Sequence, residues 1–189
     1  ENRGALPRLA ERTTLIVPDQ NTIYLKFLDR QLHVYSPRPE EVDDIRERSN
    51  ELDVTLAKIG LDTGMLFVSF NRNPAHYVKG EQRDPRLDWF TDPKFVQAIA
   101  YSIDAKSMIQ NTYFGYGEPA TSAISPKNTV FFNSHLKPYE YDLEAARRLL
   151  DEGEYRDRDG DGFREDAKGR VIEFELSTNA GNQVRERLC

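Results

Sequence analysis

The sequence has little cysteine and little histidine, which removes most transition-metal chemistry. Its one cysteine, Cys189, cannot form an internal disulfide or a zinc site built from several thiolates. The three histidines, His33, His76 and His135, stand far apart, and none lies in the His-Glu-x-x-His pattern that binds zinc. We therefore expect no zinc centre of these kinds.

Long apolar runs and a surplus of positive charge are also missing. No stretch approaches the roughly 20 apolar residues that span a membrane. The net charge is -6, whereas nucleic-acid-binding proteins carry clustered lysine and arginine. We expect no nucleic-acid partner. The first residues lack the apolar core of a signal peptide, and an export signal is expected upstream of Glu1.

The common motifs of catalysis and nucleotide binding are absent as well. The sequence has no Gly-x-Ser-x-Gly elbow, no P-loop and no Rossmann glycine pattern. Hydrophobic residues make up 38% and charged residues 31%, which is polar for a globular protein but sufficient for a core. We predict a folded protein that is not an enzyme.

Apolar spacing in the first part of the chain predicts short strands alternating with helices. Strands are predicted at residues 13–17 and 32–35, with helices at residues 23–28 and 40–48. The run MLFVSF is almost continuously apolar, which predicts an internal strand covered on both faces. This pattern predicts a mixed α/β fold.

The second part is predicted to be mainly helical. Asp92, Asp104 and Asp142 each precede a helical apolar pattern and are predicted N-caps. The last of these helices would face the core through Leu143, Ala146 and Leu150. Residues 71–90 are predicted as a polar loop, residues 119–138 as an irregular excursion, and residues 172–176 as a half-buried strand.

Four segments, in this order, resemble the oligopeptide- and dipeptide-binding proteins of ABC importers, which are extracytoplasmic solute-binding proteins of family 5. They are FTDPKFVQAIAYSIDAKSMI, YFGYGEPATSAISP, YEYDLEAARRLLDEGEYRDRDGDGFRED and GRVIEFELSTNAGNQVRE. Each string alone is weak, but their order and spacing are specific. The sequence departs from the family pattern at Asp29 to Gln31, at Val96 and at Gly153 to Tyr155, which affects local turns more than the fold.

The resemblance implies a segment of a two-lobed periplasmic-binding-protein-like fold. Residues 1–64 would end the first lobe in the order β-α-β-α, residues 65–71 would be a strand crossing between the lobes, and residues 72–189 would begin the second lobe. The implied function is binding of a peptide or other small solute for uptake through an ABC permease, in the periplasm or at the cell surface. The family's acidic partner for the peptide amino group would lie beyond Cys189.

The crossing strand supplies the ligand-binding candidates. The resemblance places Phe67, Ser69 and Asn71 on the floor of the cleft. The alternative is that this is a core strand without ligand contacts, because apolar strand residues are usually packing residues.

One motif suggests a metal. Asp157, Asp159 and Asp161, followed by Gly162, match the first half of a calcium loop. The twelfth position, usually a bidentate glutamate, is Lys168, and Glu165 or Asp166 would replace it only with a different loop path. An aspartate-rich turn is the alternative. No cofactor is expected apart from Ca²⁺ at this loop. A second functional hypothesis is a calcium-stabilised docking module, although docking modules of the dockerin kind repeat the loop and this chain has it once.

Overall fold

The structure, a computed structural model, describes residues 9–189 and divides between Leu56 and Ala57 into two compact units. The predicted first-lobe segment, residues 1–64, is thus described from residue 9 onward, and residues 1–8 lie outside the described residues. No helix within residues 9–189 has both the length and the apolar character needed to cross a membrane.

The first unit is helical. Helix α1 (Gln20–Leu28) begins at Asp19, whose carboxylate accepts a hydrogen bond from the Thr22 N–H at 2.7 Å. A 3₁₀ turn (Pro39–Glu41) leads into α2 (Val42–Glu47) and α3 (Ser49–Leu52). Both predicted helices are confirmed.

The second unit contains six helices and one hairpin within the described residues. They are α4 (Pro74–Tyr77), β1 (Val78–Lys79), β2 (Gln82–Arg83), α5 (Arg86–Thr91), α6 (Pro93–Ser102), α7 (Ala105–Tyr113), α8 (Leu143–Glu152) and α9 (Gln183–Leu188). Helices α6 and α8 pack against each other. The three predicted N-caps are confirmed, since Asp92, Asp104 and Asp142 accept hydrogen bonds from the N–H groups of Lys94, Ser107 and Ala145.

An aromatic core holds the second unit together. Its buried members are Tyr77, Leu87, Trp89, Phe90, Phe95 and Tyr155. The first four come from residues 71–90, which were predicted to be a polar loop. That prediction is wrong, because α4, the β1–β2 hairpin and α5 fold this stretch so that its few large apolar side chains point the same way.

The predicted strands did not form. Residues 13–17, 32–35, 65–70 and 172–176 carry no strand in the described part of the chain, where β1 and β2 make the one ladder. A strand requires a hydrogen-bonded neighbour. The first three stretches make no backbone hydrogen bond among residues 9–189, and the fourth makes a single one, from the Ile172 N–H to the Arg164 carbonyl at 2.8 Å. The predicted burial of MLFVSF on both faces is also wrong, because Leu66, Phe67 and Val68 are exposed.

The turn after α8 explains one departure from the family pattern. Gly153 closes the helix, and a Cβ at this position would lie 2.8 Å from the ring of Tyr155. Glycine therefore lets Tyr155 enter the core, while Glu154 adopts a left-handed backbone with φ +63°. Leu143 was predicted to face the core, but it is exposed, and Ala145 and Ala146 are the buried residues of α8.

Candidate functional site

The predicted ligand-binding segment, residues 65–71, is anchored by Phe70. The Phe70 ring lies 5.2 Å from that of Phe90 and 6.4 Å from that of Phe95, measured between centroids. Phe67 points away from this anchor and is 76% exposed. The segment therefore rests on the core through one side chain and presents its neighbours outward.

The two polar candidates differ in their surroundings. Ser69 is exposed and available to solvent. Asn71 is also exposed, but its side-chain oxygen accepts a hydrogen bond from the Asn73 N–H at 3.0 Å, in the turn that leads into α4. Asn71 thus already has a local structural role, whereas no hydrogen bond within residues 9–189 occupies the hydroxyl of Ser69.

A second irregular segment lies on the same phenylalanines. The Phe174 ring is 5.5 Å from Phe90 and 6.0 Å from Phe95. Beside it is a shallow recess lined by Arg86, Glu173, Phe174 and Glu175. We call Phe70, Phe90, Phe95 and Phe174 the phenylalanine platform. Sequence spacing missed it because its members come from three distant segments.

Arg86 is the basic group of this recess, and it is already paired. Its guanidinium donates to Asp84 at 2.6 Å and lies 5.8 Å from the centroid of the Tyr77 ring. The hydrogen bonds from Arg86 lower the pKa of Asp84 to about 2. Asp84 in turn raises the pKa of Arg86, so Arg86 carries its charge at all physiological pH values, beside Glu173 and Glu175.

The predicted metal residues are brought together in a loop of residues 157–165, the aspartate loop. One oxygen from each of Asp157, Asp159, Asp161 and Glu165 lies within 4.8 Å of the others. Gly162 has φ +93°, which favours glycine at the sixth loop position. Glu165 stands at the ninth position, where calcium loops also supply a ligand, whereas the sequence predicted it only as a replacement for the glutamate of the twelfth position.

The residue after Glu165 connects the aspartate loop to the core. The Asp166 carboxylate accepts hydrogen bonds from the Trp89 indole at 3.1 Å and from the Arg170 side chain at 2.7 Å. It also accepts from the backbone N–H groups of Lys168 and Arg170. Burial raises its pKa, but these donors outweigh burial and hold the pKa at about 2.

The fold is that of a segment of a two-lobed periplasmic oligopeptide-binding protein. A solved structure of the oligopeptide-binding protein AppA from Bacillus subtilis, in complex with a nonapeptide, superimposes with a TM-score of 0.67. The alignment covers 91% of this chain and 31% of that chain at 23% identity. The predicted fold class is confirmed.

The family follows from the sequence match. The family model "Bacterial extracellular solute-binding proteins, family 5 Middle" matches residues 2–189, and the chain belongs to this family of solute-binding transport proteins. Two curated relatives are similar to it. A probable ABC transporter-binding protein of Deinococcus radiodurans is 26% identical over 188 residues, covering 96% of this chain and 30% of the relative. AppA of B. subtilis is 27% identical over 184 residues, covering 97% and 31%.

The chain therefore spans just under a third of the length of these relatives. The docking-module hypothesis receives no support from any of these similarities, all of which are to solute-binding proteins. The assignment of residues 1–64 and 72–189 to two lobes, with residues 65–71 crossing between them, stays a prediction.

Proposed function

We propose that this chain is part of a binding protein that captures a peptide or similar small solute outside the cytoplasm and delivers it to an ABC permease, without catalysing a reaction. The observation that carries the proposal is the family match along residues 2–189. The fold likeness to AppA, whose structure holds a nonapeptide, supports a peptide as the solute. The protein would act in the periplasm or at the cell surface.

The backbone of residues 65–70 gives the proposal a physical basis. Within residues 9–189, none of its N–H or C=O groups takes part in a hydrogen bond. Backbone groups that become buried need partners, and an added strand or an extended peptide supplies them. This segment would therefore gain its partners from the remainder of the binding protein and from the solute.

Side chains on this segment would then contribute to the cleft. Phe67 offers an exposed ring for apolar contact, and Ser69 offers a hydroxyl for a backbone group of the solute. Asn71 would act mainly through its amide nitrogen, because its oxygen is held by the Asn73 N–H. An apolar floor with few directional groups suits a binding protein that accepts varied side chains.

Peptide capture is tested by native mass spectrometry of the complete binding protein and of the 189-residue chain, each mixed with di- to pentapeptides. We expect the complete protein to retain peptides and the chain alone to release them, because the chain covers under a third of its relatives. Retention by neither would refute a peptide solute. Nanomolar binding by the chain alone would contradict a cleft completed by other parts of the protein.

Replacing Phe67 by alanine in the complete protein is expected to weaken binding of the retained peptide at least about tenfold, since burying a phenylalanine contributes about 1.5 to 3 kcal/mol. The melting temperature of the 189-residue chain should stay unchanged on the same substitution, because the ring is 76% exposed there. Phe131→Ala is the matched control, because Phe131 is 73% exposed and lies in a different segment. If calorimetry gave equal peptide affinities for the two variants, Phe67 would not contact the peptide.

A further inference from the structure

The aspartate loop contains a buried carboxylate oxygen with no partner. Glu165 is 6% exposed, and its Oε2 accepts a hydrogen bond from the Arg158 N–H at 2.9 Å. Its Oε1 has no hydrogen-bond partner among the described residues. Buried carboxylate oxygens almost always have one. Glu165 is one of four carboxylates that lie close together, so the missing partner of its Oε1 would lie within this cluster.

The charge of the cluster is not balanced by the basic residues around it. Arg158 pairs with Glu154, and Arg164 pairs with Asp151. Across residues 9–189, no lysine or arginine forms an ion pair with Asp157, Asp159, Asp161 or Glu165. Four neighbouring carboxylates repel one another unless a cation lies between them.

The spacing of the oxygens fits a cation of the size of Ca²⁺. Ca²⁺ binds oxygens at about 2.3 to 2.6 Å, so oxygens on opposite sides of it stand about 4.6 to 5.2 Å apart. Four oxygens that all lie within 4.8 Å of one another match that sphere. Mg²⁺ requires a near-ideal octahedron and usually keeps several waters, whereas four protein carboxylates in one loop are typical of Ca²⁺ coordination.

We propose that the aspartate loop is a Ca²⁺ site, with Asp157, Asp159, Asp161 and Glu165 as its carboxylate ligands. Glu165, from the ninth loop position, replaces the glutamate that Lys168 does not provide. Bound Ca²⁺ supplies Glu165 Oε1 with its partner and fixes the loop beside Tyr155 and Asp166, two buried residues of the second unit. The site is structural and does not depend on the identity of the solute.

Isothermal titration calorimetry of Ca²⁺ into the chelator-treated 189-residue chain tests the proposal. We expect one Ca²⁺ per chain with a Kd below about 1 mM, retained in a large excess of Mg²⁺. The melting temperature should rise with Ca²⁺ concentration, because the ion binds the folded chain. No saturable binding, or equal competition by Mg²⁺, would overturn the Ca²⁺ site.

Variants distinguish ligands from general negative charge. Asp159→Asn and Glu165→Gln should each weaken Ca²⁺ binding at least about tenfold, whereas Glu154→Gln, which removes a nearby carboxylate outside the cluster, should change the Kd by less than about threefold. If the circular-dichroism spectrum shows that Glu165→Gln is unfolded, the Ca²⁺ affinity of Asp159→Asn decides between the two outcomes, because Asp159 is exposed. If all three substitutions weakened Ca²⁺ binding equally, the ion would be attracted by the general negative charge of this region and not bound at a defined site.

Discussion

Replacing Phe95 by alanine is expected to lower the free energy of unfolding by about 3 to 5 kcal/mol, the usual range for deleting a buried aromatic ring. Phe95 is 2% exposed and lies at the centre of the aromatic core. Its ring contacts Tyr155 from α8's C-terminal turn at 5.3 Å and Phe174 at 6.0 Å, measured between centroids. The cavity would thus weaken the contacts of α6 with the segments that carry Tyr155 and Phe174.

Urea denaturation of the 189-residue chain measures this effect, with fluorescence of the single tryptophan as the probe. Trp89 is buried in the same core, so its emission reports unfolding of the second unit. Phe131→Ala is again the control, and as an exposed substitution it should change the free energy of unfolding by less than about 0.5 kcal/mol. A Phe95→Ala effect below about 1 kcal/mol would show that the core collapses around the missing ring.

The helices could be predicted because their signals are local. Asp92, Asp104 and Asp142 each provide a carboxylate next to unpaired N–H groups at a helix start, and the apolar spacing that follows is read directly from the sequence. The family resemblance rested on these same helices and the loops between them. For that reason the fold class was predicted correctly although the sheet was not.

The strands could not be predicted because pairing is not local. The run MLFVSF has the composition of an internal strand, yet its backbone has no partner within the described residues and four of its six side chains, those of residues 66–69, are exposed. The platform formed by Phe70, Phe90, Phe95 and Phe174 was missed for the same reason, since no periodic pattern connects its residues. Glu165 required knowledge of the loop path, which brings it back to Asp157 and Arg158.

The second large effect on the free energy of unfolding is expected from loss of the hydrogen bonds that Asp166 accepts. Asp166→Ala is expected to lower the free energy of unfolding at pH 7 by about 2 to 3 kcal/mol, because it leaves the buried Trp89 indole without its acceptor and removes the partner of Arg170, whose side chain is 35% exposed. Asp166 is 5% exposed, so water does not replace the lost acceptor. Asp43→Ala is the matched control. It removes an exposed ion pair with Arg46 and should change the free energy by less than about 1 kcal/mol.

The free energy of unfolding lost in Asp166→Ala should also depend on pH, and the pKa of Asp166 determines the direction of that dependence. In the folded chain its pKa is about 2, below the ordinary aspartate value of 3.8, so the folded state favours the charged carboxylate. The resulting stability is fully present above about pH 5 and decreases as the pH falls toward 2.

This charge-dependent stability amounts to about 2 kcal/mol, of which roughly half should be lost by pH 3. Between pH 7 and pH 3, the difference in free energy of unfolding between the wild-type chain and Asp166→Ala should therefore narrow by about 1 kcal/mol. Other carboxylates, such as Asp84, are present in both chains, so their titration largely cancels from this difference. A difference that stays constant from pH 6 to pH 3 would mean that the packing of Asp166, and not its charge, stabilises the core.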